Sequence, residues 1–358
     1  MLGAVLVVAL GLAFFAAVRM SLIDPTPSFV SDGDTAGPVA AQLGPSTDDD
    51  EPTPRGADVE TADAEADAAK LAKQARLAKQ AREERLAELR AKARDRSLAR
   101  EAARLARAEA RASQPFTVRV GTFNVLGSQH TAPGGDRRRY PPASVRSPAA
   151  AEVIANHGVD ILGTQELQTD QLAALQSRTG MSAYPGTAWG SAETDNSILY
   201  DASRFELVSG SKFTIPFMGR PRPQPILKLR ELVTGREFYV VNTHPSAHGG
   251  RYLTERRQGQ AALVGVVNQL RASGLPVLVT GDMNDRELFY CNVVPQTGMT
   301  APNGGSYSSG CQPPPLPIPV DWVVGAGPIA WSDYWRDTTP TSRRISDHMF
   351  ISATAQIS

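Results

Sequence analysis

Cysteine is almost absent from this chain: Cys291 and Cys311 are the two in 358 residues, with no CxxC spacing. A zinc site built on paired thiolates is therefore excluded as the reading of choice. Net charge is absent too. Thirty-seven Lys and Arg offset 37 Asp and Glu, so overall charge points to no class of partner. Charge is missing locally from residues 2–18, and glycine and proline are missing from 62–112. These local absences divide the chain into zones.

Residues 2–18, LGAVLVVALGLAFFAAV, would span about 25 Å as a helix at roughly 1.5 Å per residue. Arg19 can snorkel and let Met20 to Ile23 extend the span. A basic leader and a small-x-small cleavage site are both unclear, so residues 1–23 read as a signal anchor before a signal peptide. Residues 24–61 are rich in Asp, Pro, Thr and Gly, as in STDDDEPTP, and read as a disordered acidic linker. Residues 62–114 form a charged Ala/Arg-rich zone of strong helix formers, stopped by Pro115. Its leucines, at 71, 77, 86, 89, 98 and 105, hold no heptad, so a coiled coil has a weak seam and a solvated stalk is preferred. Residues 70–112 carry 14 Lys/Arg against 6 Asp/Glu, which leaves a basic strip for nucleic acid or anionic lipid as the sharper reading.

Residues 115–358 read as one α/β domain. FTVRVGTFNVLG (116–127), VDILGTQE (159–166), NSILYD (196–201), LPVLVTGD, VDWVVGAG, PIAWSDYW and HMFISATAQI are strand-like. PILKLRELVTGREFYVVNTH (225–244) reads as two strands around a Thr-Gly turn. Residues 147–158, 168–180 and 252–274 have helical patterns. Hairpins mixed with crossovers fit two packed sheets with helices outside better than one parallel sheet. Both cysteines lie in one loop-rich stretch of this domain, downstream of an apolar start. A Cys291–Cys311 disulfide outside the cytoplasm is the natural reading and would contribute ~3 kcal/mol. Two buried free thiols are the alternative.

One design repeats at the strand ends. Apolar runs finish in Asn124, Glu166, His244, and the pair Asp282 and Asn284; another begins at Asp321, and SDH (Asp347, His348) precedes the last. Each alone is an ordinary turn residue. Together they place carboxylates, amides and imidazoles on a rigid scaffold. Carboxylates without cysteine select a hard cation, Mg²⁺ first. Glu166 is the best direct ligand. Asp282 would hold or deprotonate the attacking water. Asn side chains donate to phosphate oxygens, and two imidazoles serve the developing charge, one of them fixed by Asp321. The set adds up to metal-assisted hydrolysis of a phosphate ester.

The ordered motifs TFNVLG, QE, NSILY, VVNTH, TGDMND, VDWVV and SDH resemble the endonuclease/exonuclease/phosphatase superfamily over residues 116–358. That superfamily includes deoxyribonuclease I-like nucleases, abasic-site endonucleases, neutral sphingomyelinases and inositol-phosphate phosphatases. The resemblance implies a four-layer α/β sandwich of two mixed β-sheets flanked by helices, with the site at one edge. It implies a metal set of Glu166, Asn124 and Asp347, and Mg²⁺ as cofactor with Mn²⁺ or Ca²⁺ as substitutes. Catalytic roles fall on His244, Asp282, Asn284, Asp321 and His348. Substrate contacts fall on Asn124, Asn196, Asn284 and His348. Glu193 is the loosely matched partner for His244. His130, His157 and His248 match no motif and are left as surface or loop residues.

The expected activity is a phosphodiesterase or nuclease-like hydrolysis outside the cytoplasm, membrane-anchored or secreted. A sphingomyelinase-like or inositol phosphoesterase is the alternative substrate class, and an inactive binding module on the same fold is the alternative of another kind. Residues 115–358 hold 21 Lys/Arg against 19 Asp/Glu, less basic than a dedicated duplex binder. Arg137, Arg138, Arg139 and Tyr140 in one loop, with Arg220 and Arg222 in a Pro-rich loop, can still grip a nucleic-acid backbone. Nothing in the chain points to an oligomer.

Overall fold

The computed structural model describes residues 58–358. Helix α1 (Asp58–Ala112) begins four residues before the boundary expected at 62, so the linker does not reach residue 61. Its leucines are all exposed, from 43% at Leu86 to 66% at Leu71, which bears out a polar helix without a seam. A Glu88–Lys92 pair at 2.5 Å adds ~0.3 kcal/mol of the kind i,i+4 pairs supply. Among the described residues no helix is long and apolar enough to cross a membrane. The apolar segment expected to anchor the chain, 1–23, lies outside the described residues, as does most of the linker.

Beyond α1 the chain runs β1 (Phe116–Asn124), α2 (Ser128–Thr131), α3 (Ala143–His157), β2 (Ile161–Gln165), α4 (Thr169–Thr179), β3 (Ser182–Tyr184) and β4 (Ile198–Tyr200). It continues through β5 (Phe205–Phe217), β6 (Arg220–Glu231), β7 (Glu237–Thr243), α5 (Arg251–Arg271), β8 (Val277–Asp282) and α6 (Glu287–Thr297). It ends in β9 (Met299–Thr300), β10 (Asp321–Ala326), β11 (Ile329–Asp337), α7 (Thr339–Ser342) and β12 (Phe350–Ile357). Two six-stranded mixed sheets result, in the orders β11-β12-β1-β2-β4-β3 and β5-β6-β7-β8-β10-β9.

Three apolar clusters explain the layering. Val118, Val120, Ile161 and Ile351 of the first sheet meet Leu227, Val240, Leu278 and Val323 of the second. Ala150, Val153 and Ile154 of α3 and Leu172 of α4 pack on the outer face of the first sheet, against Phe123, Leu162 and Phe350. Leu263 and Val267 of α5 and Phe289 of α6 cover the second, against Val241, Val279 and Trp322. Helices, sheet, sheet, helices: the four-layer expectation holds. Trp322 is 2% exposed between Phe289 and Tyr290, and truncating such a side chain costs on the order of 3–5 kcal/mol. Cys291 and Cys311 are joined as a disulfide, tying α6 to the long loop before β10.

Strand β5 was not expected. Its burial is slight because it lies at a sheet edge, so it carries no apolar alternation to read. The Pro-rich 220–225 segment, expected as a loop, opens β6 instead. Strand β7 pairs with β6 from Ile226 to Arg230, which leaves one side of the proline stretch without a ladder to break.

The β6–β7 turn is held by a buried carboxylate. Glu231 accepts from the Thr234 N–H and hydroxyl, both at 2.7 Å, and from the Val233 N–H at 3.2 Å. Burial alone would push this carboxyl up, but those hydrogen bonds outweigh it and the group sits below its ordinary value of 4.5. A folded-state value lowered in this way adds stability above the unfolded value and loses it as pH falls through the folded one. Glu231→Gln should therefore destabilise the domain by about 1–2 kcal/mol near neutral pH. The gap to wild type should close in acid, below 4.5. Urea melts across that range measure both effects, and a gap that persists unchanged in acid contradicts the account.

Candidate active site

Sheet topology brings the site together. Strands β1 and β2 run parallel, as do β7 and β8, so their carboxyl ends share one edge of the sandwich. Strand β10 runs antiparallel to β8 and sets its first residue, Asp321, opposite Asp282. Strand β12 runs antiparallel to β1, so the Asp347–His348 segment before it arrives at the same edge. A cleft of about 620 Å³ opens there.

Beneath the cleft the two sheets touch through amides rather than apolar groups. Asn242 donates to the carbonyls of Thr164 at 2.7 Å and Asn196 at 2.8 Å, and accepts from Gln165 at 2.8 Å and Thr280 at 3.0 Å. A β-carbon at Gly163 would collide with Thr280 and Asn242, so glycine is what lets the sheets meet here. Asn196 lies in this floor, 1% exposed, with its Nδ2 donating to Gln224 at 3.1 Å. It does not line the cleft; Gln224 passes the contact on by accepting from the His244 N–H at 2.8 Å.

Asp282 is the centre of the constellation. Its Oδ2 has His244 Nε2 at 3.4 Å, His348 Nε2 at 3.6 Å and the donating Asn124 Nδ2 at 3.2 Å. Its Oδ1 accepts from the Asn284 N–H at 2.9 Å. Burial would push this carboxyl up, yet the charges of His348 and His244 and their hydrogen bonds bring it down to about 2. His348 is gripped from its other side by Asp321, with Nδ1 at 3.0 and 3.1 Å from the two carboxylate oxygens. Burial works against the imidazolium, but the negative charges of Asp321 and Asp282 win and hold His348 well above its ordinary value. His348 is therefore a protonated donor near neutral pH.

Glu166 follows β2 in a left-handed backbone conformation, φ 60°, as does Asn284 at 48°. Such strain in non-glycine residues persists where the surroundings over-determine it, often at functional positions. Asn124 Nδ2 donates to Glu166 Oε1 at 3.0 Å and bridges it to Asp282, while Asn124 Oδ1 accepts from the Leu126 N–H. The Gly127 N–H donates to Glu166 Oε2 at 3.2 Å. Burial raises this carboxyl, and His130, His244 and Asn124 together more than reverse that, holding it well below the usual carboxylate range. Asp347 lines the same cleft and pairs with Arg137 at 3.1 Å.

Several placements depart from expectation. His130 is a cleft residue, with Nε2 at 3.3 Å from Glu166 Oε2 and Nδ1 at 2.7 Å from Asp136. Its hydrogen bond to Glu166, with help from Asp136 against burial, raises it to about 9. His248 also lines the cleft. His157 closes α3, bonds Asp337 at 3.0 Å and stacks on Phe350, so it is structural rather than a loop residue. Glu193 does not meet His244; it lies 3.8 Å from Arg220, and His244 Nδ1 has no partner. Arg222 enters the cleft from β6, paired with Asp195 and stacked 3.9 Å over Phe217, with Nε and Nη1 buried and unpartnered. Burial pushes its guanidinium down to about 10. Arg146, missed in the α3 pattern, donates from the buried core to the carbonyls of Val125, Ile345 and Pro141 and braces the loops that carry the site.

For a divalent cation the donor set fits in kind. Among the described residues, Asp282, Asp321 and His348 are the group whose ligand atoms all fall within 4.8 Å of one another. Both imidazole nitrogens of His348 already face carboxylates there. Glu166 and Asp347 are the carboxylates that remain open to the cleft.

The sequence profile of the endonuclease/exonuclease/phosphatase family matches residues 121–348, and the chain belongs to that family. Its members are phosphate-ester hydrolases, and this chain is an enzyme of that class. Comparison with curated proteins finds no match. Among solved structures, an endonuclease/exonuclease/phosphatase family protein of Bacteroides thetaiotaomicron is 19% identical, covering 68% of this chain and 99% of its own, at a TM-score of 0.52. The human nocturnin catalytic domain with bound sulfate is 19% identical, covering 69% of this chain and 99% of its own, at 0.52. A mannosyl-6-phosphatase of Bacteroides thetaiotaomicron is 19% identical, covering 66% and 99%, at 0.50. At this identity the likeness concerns the fold.

Proposed function

We propose that the protein is a Mg²⁺-dependent phosphodiesterase of nuclease-like type, acting outside the cytoplasm. The observation that carries the chemistry is the Asp282 carboxylate, ionised and set between two imidazoles at 3.4 and 3.6 Å. Asp282 takes a proton from water as its oxygen attacks phosphorus, and the bond from phosphorus to the leaving oxygen breaks. Asn284 keeps the carboxylate aimed. Imidazolium His348, oriented by Asp321, donates to a phosphate oxygen, and His244 stands beside the same centre. Glu166 and Asp347 would hold the cation, with Asn124 steering the Glu166 carboxylate. A bound divalent ion supplies positive charge to the phosphate as it accumulates negative charge. Arg222 adds an unpartnered guanidinium edge for a further phosphate oxygen.

Nuclease-like action on a longer polyanion is supported by a second hollow of about 900 Å³, lined by Arg137, Arg138, Arg139, Tyr140 and Arg344. It shares Arg137 and Asp136 with the catalytic cleft. Residues 115–358 form the catalytic domain in this reading, with 62–114 as stalk, 24–61 as linker and 1–23 as membrane anchor. The disulfide supports placement in an oxidising compartment.

The test is hydrolysis by the full chain of bis(p-nitrophenyl) phosphate, single-stranded DNA, plasmid, sphingomyelin and a phosphoinositide, with Mg²⁺ and with EDTA. The diester and the nucleic acids should be cleaved, and EDTA should reduce the rate by a factor of about 10³ or more. Chelator-insensitive hydrolysis, or a preference for the lipids, overturns the proposal.

A further inference from the structure

We propose that His130 is a nitrogen ligand of the metal site, oriented by Asp136, and that it tilts that site from Mg²⁺ toward a borderline first-row cation such as Fe²⁺, Co²⁺ or Zn²⁺. The inference rests on the reading that Glu166 holds the metal and concerns what completes its coordination.

His130 Nε2 faces Glu166 Oε2 at 3.3 Å. Two ligand atoms on one first-row ion, each about 2.1 Å from it, stand roughly 3.0–3.4 Å apart. The other ring nitrogen, Nδ1, meets Asp136 Oδ1 at 2.7 Å. A carboxylate on the far nitrogen is the usual support of a metal-binding histidine: it fixes the tautomer that leaves the near nitrogen's lone pair free, and raises its basicity. The ion pair with Glu166 alone would need no such support.

The loop carrying His130 is built to hold it there. Helix α2 starts directly after Gly127, whose N–H is bonded to Glu166. The chain then turns back, with the Arg137 N–H donating to the His130 carbonyl at 2.9 Å. A β-carbon at Gly135 would collide with that carbonyl, so the return requires glycine. Arg137 spans from Asp136 at 2.6 Å to Asp347 at 3.1 Å. The loop is thereby tied to both carboxylates assigned to the metal. A site of carboxylates and water suits Mg²⁺; adding an imidazole favours the borderline metals.

Isothermal titration of the full chain with Co²⁺ alone and Mg²⁺ alone tests this, together with the visible absorption of bound Co²⁺. Wild type, Glu166→Gln, His130→Ala and Asp136→Asn are compared, with circular dichroism to confirm folding. Glu166→Gln should weaken both metals. His130→Ala should weaken Co²⁺ at least about tenfold, alter the Co²⁺ spectrum and change Mg²⁺ affinity less; Asp136→Asn should do the same more mildly, consistent with the roughly 10–100-fold range for such supports. If Glu166→Gln weakens Co²⁺ but His130→Ala leaves it unchanged or tightens it, His130 is an ion-pair partner only and this inference is overturned while the Glu166 reading stands. If Glu166→Gln leaves both affinities unchanged, the Glu166 reading itself fails and takes this inference with it.

Discussion

Asp282→Asn should lower phosphodiester turnover by about 10³-fold or more, roughly 4 kcal/mol of barrier, while the domain stays folded. The carboxylate is 1% exposed and held near a pKa of about 2, so at neutral pH it is an acceptor with its charge fixed between two imidazoles. An amide of the same shape can still accept from the Asn284 N–H, which preserves the local hydrogen bond. It cannot take a proton from water or balance His348. Steady-state kinetics with Mg²⁺, beside a thermal melt, measures both sides. A folded Asp282→Asn protein that retains more than about a tenth of wild-type turnover would remove Asp282 from the proton-transfer role, since general-base catalysis is worth roughly 10²–10⁴-fold.

His348→Gln should cost a factor of about 10²–10⁴ in kcat, because it removes a preorganised cationic donor from a buried site. Asp321→Asn should cost less, since it leaves the imidazole in place and removes only the carboxylate that fixes it at 3.0 Å. The double variant should be little worse than His348→Gln alone. Groups that act as one unit lose their effect together, so the coupling between the two substitutions should be large. Additive losses would mean that Asp321 serves the reaction independently of His348, for which the closeness of Asp321 to Asp282 in the paired strands offers the route.

Much of this site was legible because its residues sit where apolar runs stop. Glu166, His244 and Asp282 each follow or close a strand of continuous burial, and that break from apolar to polar is visible in one dimension. His130 and Arg222 were not legible as site members. His130 lies in a loop whose path depends on Gly135 and on ties to Asp347, more than 200 residues away. Arg222 lies among prolines that read as loop, and its strand exists because β5, itself unreadable, pairs along it. Glu193 shows the converse. Its spacing from Asn196 allowed contact with His244, but its side chain lies toward Arg220.

The sequence by itself determined the elements and the chemistry: alternating and continuous apolar runs for the strands, the glycine-free charged helix, the two cysteines as a pair, and the residue types at the strand tips. Local pattern suffices for these because burial periodicity and composition act within a few residues. Only the tertiary structure decided which tips converge and in what protonation state. That depends on parallel β1–β2 and β7–β8 placing carboxyl ends on one edge, on antiparallel β10 setting Asp321 across from Asp282, and on desolvation there. The charges of buried groups a few ångströms apart shift one another strongly, and such distances are set by the packing of the two sheets, which no local stretch of the chain encodes.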